Sequence, residues 1–147
     1  MAYSTQTDLE NRLSPATLAA LTDDTNGTTT SSAIVTALIA RADALIDAKI
    51  AADYTTPITS PPTIINAISV DLACFYAMQR RYTEQAMPPD WTQTYKNAIA
   101  ILDDVASGKL TLAGVPTPST DSSKEAEVIA PDRIVAFNDS TSPWSKF

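Results

Sequence analysis

Histidine is absent from the 147 residues, and with it the commonest general base and the commonest metal ligand. One cysteine, Cys74, excludes an internal disulfide and any cysteine-rich metal site. It falls between Ala73 and Phe75 in an apolar helical stretch, so it reads as a buried inert thiol rather than a nucleophile. Such cysteine usage fits a cytoplasmic site of synthesis. Glycine occurs only at Gly27, Gly108 and Gly114, too scattered for a phosphate-cradling loop. A GxSxG elbow is missing, and serine and threonine have no histidine partner for a triad. The best apolar run is broken by Arg41, Asp43 and Asp47, short of the ~20 residues that cross a bilayer. The opening MAYSTQTDLE has neither a basic start nor an apolar core, so no secretory leader is expected. The expectation is a chain that is not an enzyme, with no catalytic residue, no metal ligand, no cofactor and no membrane contact.

Positive charge is also scarce. Ten basic residues face 17 acidic ones, a net charge of −7. That balance argues against a surface built to hold nucleic acid phosphates by counterion release. Arg80-Arg81-Tyr82 forms the only basic cluster. Two arginines beside an aromatic can touch nucleic acid, but here a salt-bridge role is favoured. Paired carboxylates can do acid–base work without histidine. Asp43 and Asp47, one helical turn apart, lie opposite an apolar stripe and are expected on a solvated face. Asp103-Asp104 reads the same way. Asp71 sits among apolar neighbours, and it is expected to pair with an arginine such as Arg41 or Arg80, or to face a neighbouring subunit.

What is plentiful is apolar periodicity, in a chain that is 44% hydrophobic. Val35, Leu38, Ala42, Leu45 and Ile46 recur at helical steps, widened by Ile34, Ile39 and Ile50. Ile65, Ile68, Leu72, Phe75 and Tyr76 do the same after the connector DYTTPITSPP. The spacing predicts arms over 33–53 and 62–84, and a short connector makes them antiparallel. Pro57, Pro61 and Pro62 stiffen that connector, and Tyr54 is expected to pack over the hairpin end. Ahead of the hairpin, Asp8 to Leu13 suggests a short helix. Ser14-Pro15 supplies an N-cap and first-position proline for a second. Asn26-Gly27 marks a surface turn before an N-cap at Ser31 or Ser32. Behind it, Trp91, Tyr95, Ala98, Leu102 and Val105 predict a third long helix over 90–107, closed by Gly108. Leu110–Leu112 is expected as a short strand. The fold class is all-α: a small helical bundle built on a long antiparallel hairpin, with an extended C-terminal arm.

The composition divides the chain into a helical domain over 1–114, a proline-, serine- and acid-rich linker over 115–127, and an arm over 128–147. The arm carries Ile129, Arg133, Ile134, Val135, Phe137, Trp144 and Phe147. Apolar side chains behind a solvated linker either invite a partner or fold back onto the chain's own helices, and these seven are the expected partner-binding residues. Pro131 forbids a helix through the arm, which favours strand addition.

Several stretches together carry a family resemblance: TQTDLENRL and TLAALTDD, then SAIVTALIARADALIDAKIAADYTTPI, then PPTIINAISVDLACFYAMQRR. This order resembles the Mu-like prophage head–tail connector family of tailed phages. The end of the first arm is similar to that family's pattern at Ala44, Ile46, Asp47, Ile50, Tyr54 and Pro57. It departs where Lys49 replaces the usual tyrosine and Asp53 the usual arginine. The second arm matches at Ala73, Tyr76, Met78, Arg80 and Arg81, and DRIVAFNDS resembles the family's closing stretch imperfectly. The resemblance implies a head-completion adaptor that forms a dodecameric ring with copies of itself beneath the portal protein. In that reading the ring extends the DNA channel without binding DNA specifically and receives a stopper or tail-completion protein. It sits at the head–tail junction of the virion. The alternative is a free helical protein-binding or regulatory module of a phage or prophage.

Overall fold

The computed structural model describes residues 1–82 and 87–118. Five helices follow in order: α1 (Gln6–Leu13), α2 (Pro15–Thr22), α3 (Ser32–Ile50), α4 (Thr63–Arg81) and α5 (Pro89–Ala106). No strand occurs among the described residues. The architecture is the all-α bundle that the periodicity predicts. α3 and α4 form the central antiparallel hairpin, and α5 packs on both. α1 and α2 lie against α4, running from the connector end of the hairpin toward its open end.

Local chemistry explains the element boundaries. Thr5 and Asp8 close a capping box on α1, each satisfying the other's backbone N–H. Ser14 caps α2 and Pro15 occupies its first turn. Ser14 itself adopts φ +71°, so α1 passes into α2 through one tight residue. The hairpin arms stop about three residues short of the expected 53 and 84, because the proline-bearing connector and Tyr82 leave the helical path. α5 closes at Gly108, whose φ of +73° is the left-handed conformation that glycine tolerates best.

The core is the apolar stripe of each arm. Val35, Ala42, Ile46 and Ile50 of α3 meet Ile65, Leu72, Ala73 and Cys74 of α4, all essentially without solvent contact. Ala98, Leu102 and Val105 bring α5 onto them. Leu45 and Phe75, which the stripes include, are only partly buried at the edge. Tyr54 is buried at the hairpin end as expected, and its hydroxyl accepts the Leu112 N–H at 2.9 Å.

That bond is one reason why the strand expected at Leu110–Leu112 is absent. After the Gly108 reversal, the N–H groups of Lys109 and Leu110 turn back to the Asp104 carbonyl at 3.0 and 3.1 Å. With Leu110 and Leu112 spent in this way, two of the three donors of the stretch are lost to a ladder. Val115 is buried, and the Pro116 carbonyl accepts the Thr55 N–H at 2.9 Å. The packed chain therefore runs on through Pro116, two residues into the stretch expected as linker. The rest of the linker from 119 and the whole arm from 128 lie outside the described residues.

Candidate functional site

The first three-dimensional feature of note is a polar seam that pins the N-terminus across the hairpin. Asp43 is buried, and its carboxylate accepts the Tyr3 N–H at 3.0 Å and the Ser69 hydroxyl at 2.7 Å. The Ser69 and Ser4 hydroxyls are 2.8 Å apart. The Tyr3 hydroxyl donates to Asp47 and accepts the Ile58 N–H at 2.8 Å, and Asn66 donates to the Tyr3 carbonyl at 2.8 Å. Burial, and then the hydrogen bond to Asp47, push the Tyr3 phenol up to about 12. One residue thus ties together α3, α4 and the connector.

This corrects the reading of Asp43 and Asp47 as a solvated face. They do lie opposite the apolar stripe of α3, but residues 1–5 cross that face and cover them. Helical periodicity reports which side of a helix is apolar and says nothing about a strap laid over the other side. Asp103 and Asp104 stay exposed, as expected, and pair with Lys49 at 2.5 Å and Lys109 at 3.2 Å.

Asp71 pairs with neither Arg41 nor Arg80. Its partner is Arg12 of α1 at 3.1 Å. Arg12 also lies over the Trp91 ring, 5.4 Å from its centre, while Arg41 lies over Tyr76 at 4.0 Å, geometries suited to cation–π attraction. Arg80 and Arg81 behave as the salt-bridge reading expects. Both reach Asp24, and both donate to backbone carbonyls at the end of α2. They hold the α2–α3 loop against the open end of the hairpin. Asp23 organises that loop by accepting the N–H groups of Thr25, Asn26, Thr28 and Thr29. The N–H bonds from Thr25 and Thr29 lead in drawing its pKa down to about 2.

Five of the seven described cations, Arg12, Lys49, Arg80, Arg81 and Lys109, are therefore engaged with carboxylates. Among the described residues this pairing leaves little unneutralised positive charge to grip phosphates. Among the described residues no group of three or more His, Cys, Asp or Glu side chains could hold a metal ion. Burial pushes the Cys74 thiol up to about 12, which holds it in its unreactive protonated form. No described helix is long and apolar enough to cross a membrane.

Three surface depressions stand out among the described residues. The largest, about 570 Å³, runs along the outer side of α3 beneath Met1 and Ala2, over Thr36, Ala40 and Ala44. The other two, about 400 and 230 Å³, adjoin across the Arg12–Asp71 pair, between α1 and α5 over α4. The seven expected partner-binding residues, Ile129, Arg133, Ile134, Val135, Phe137, Trp144 and Phe147, lie outside the described residues.

Comparison with known proteins gives one family. The sequence model described as Bacteriophage Mu, Gp36 matches residues 3–130, spanning both the bundle and the stretch that follows it. No curated protein matches the chain.

Proposed function

This chain belongs to the bacteriophage Mu Gp36 family, and from that premise we propose that it is a non-enzymatic structural subunit of the virion, a head-to-tail connector. Copies of it form a ring below the portal protein, lengthen the DNA channel and present a platform to the next stopper or tail-completion protein. The observation that carries this reading is the family match over 3–130, which makes it a phage protein whose whole helical domain has a phage counterpart.

Two physical features support it. A channel wall must let DNA pass without holding it, and this chain has 17 acidic residues against 10 basic ones. Most of the described cations are also neutralised by internal pairs. A ring subunit must keep a fixed shape under assembly forces, and the Tyr3 seam and Asp24 clamps tie the hairpin to the N-terminal segment and to the α2–α3 loop. In the assembled ring, the arm over 128–147 reaches a neighbouring subunit or the portal.

Negative-stain imaging of the purified protein with and without portal tests this directly. Rings that form on or with the portal support the connector. Monomers that ignore the portal and bind a host protein support the alternative, a free regulatory module.

A further inference from the structure

The Asn26-Gly27 turn serves neither the core nor the proposed assembly, and its hydrogen bonds are unusual. From Thr25 to Thr29 the Asp23 carboxylate accepts every N–H group but one: Thr25 at 2.8 Å, Asn26 at 3.3 Å, Thr28 at 3.1 Å and Thr29 at 3.2 Å. The exception is Gly27, whose N–H has no hydrogen-bond partner among the described residues. The Asn26 side chain is exposed and likewise makes no hydrogen bond to a described residue.

Conformation fixes glycine at this position. Gly27 has a φ of +67°, a region that residues with a Cβ enter only at a cost. The turn therefore needs glycine after Asn26, and a glycine N–H is the one a neighbouring side chain approaches with least hindrance. An exposed asparagine amide followed by an unbonded, unhindered N–H is the arrangement that closes a five-membered imide. The other described asparagines lack it. Asn11, Asn66 and Asn97 lie inside α1, α4 and α5, and the N–H groups that follow them, of Arg12, Ala67 and Ala98, belong to helix ladders. Asn66 also donates to the Tyr3 carbonyl, and Asn97 accepts from Gln93. Asn138 is followed by Asp139, whose side chain hinders the same attack.

We propose that Asn26 is a site of spontaneous modification, deamidation through a succinimide closed by Gly27. The Gly27 nitrogen bonds to Asn26 Cγ, the Cγ–Nδ2 bond breaks, and the Gly27 N–H proton leaves with the amide nitrogen as ammonia. Water then opens the imide. Cleavage at Cγ gives aspartate. Cleavage at the main-chain carbonyl gives isoaspartate, which carries one extra methylene in the backbone. Either product adds a carboxylate to a loop that already holds Asp23 and Asp24. Arg80 and Arg81 are engaged there by Asp24 and by the Leu21 and Asp23 carbonyls. In isoaspartate the extra methylene also moves Thr28 and Thr29 relative to Thr25 and Asn26, so that Asp23 no longer reaches all four N–H groups. None of this depends on the connector reading, because the chemistry belongs to the isolated chain.

The test ages the full chain at mildly alkaline pH, folded in buffer and in parallel unfolded in guanidinium chloride, and follows each asparagine by peptide mapping with mass spectrometry. In the folded chain Asn26 should convert ahead of Asn11, Asn66, Asn97 and Asn138. Its rate should lie within about tenfold of the unfolded chain's, the most that opening one hydrogen bond would cost. A folded rate lower than that, or earlier conversion of another asparagine, would overturn the proposal. Anion exchange gives a second readout. The ageing chain should split off a more acidic species, whereas Asn26→Gln, whose longer side chain closes the ring poorly, should stay single over the same period. A split that persists in Asn26→Gln would overturn the assignment to Asn26. In the isoaspartyl fraction the Thr28 and Thr29 amides should exchange hydrogen about tenfold faster than in the fresh chain. Unchanged exchange there would overturn the loss of the Asp23 contacts.

Discussion

Tyr3 is the residue on which most separate parts of the molecule depend. Its backbone N–H, its carbonyl and its hydroxyl each bond to a different element. Tyr3→Phe leaves the Ile58 N–H without its acceptor, and a buried unsatisfied donor costs about 1–3 kcal/mol. The variant should lose that much unfolding free energy, read as a lower urea midpoint at unchanged slope, with unchanged helical circular dichroism. The same phenol gives a pH test. Its pKa is raised in the folded state to about 12 from an ordinary 10. The neutral form is therefore favoured by folding, and that stabilisation is fully present below pH 10 and lost as pH rises through 12. The fall in stability over this window should shrink in Tyr3→Phe. Asp23 works with the opposite sign. Its pKa is depressed from 3.8 to about 2, so its contribution is present above pH 3.8 and lost as pH falls through 2. Asp23→Asn cannot satisfy all four N–H groups, and its melting temperature should change less between pH 4 and pH 2.

The α3–α4 hairpin decides whether the chain folds. Leu72 has no solvent contact, so Leu72→Ala should cost about 2–5 kcal/mol in a denaturant titration. Leu72→Asp should abolish the cooperative transition by burying a lone carboxylate. Leu45, at the edge, should tolerate the same changes far better. This element was legible from its letters, because Val35, Leu38, Ala42 and Ile46 carry the period and Pro62 and Ser31 bracket the arms. The Ser14-Pro15 start and the Gly108 stop were equally plain. The seam was not, because Asp43 and Ser69 acquire meaning only when residues 1–5 cross them, and nothing in local periodicity encodes a crossing. Arg12 was missed as the partner of Asp71 for the same reason: the pair spans 59 positions, and several arginines compete on paper. The expected strand at Leu110–Leu112 failed because apolar alternation over three residues carries no information about where the donors go.

At the scale of the whole molecule the acidic balance and the internal pairing of cations make one prediction about DNA. The isolated protein should show no tight, salt-sensitive binding to duplex DNA in electrophoretic shift or anisotropy measurements. The packing of Val115 and Pro116 makes another. A chain cut after Pro118 keeps the whole described core and should fold, while losing any assembly that needs the arm. The connector role proposed for this Mu Gp36 family member, a ring below the portal, is tested most directly by supplying the protein to DNA-filled heads that lack it. Purified protein is added, the heads are pelleted through a gradient, and the bound copies per head are counted and located by electron microscopy. A fixed, ring-sized number of copies at the portal vertex alone is expected. Failure to co-sediment, or copies scattered over the head surface, would contradict it.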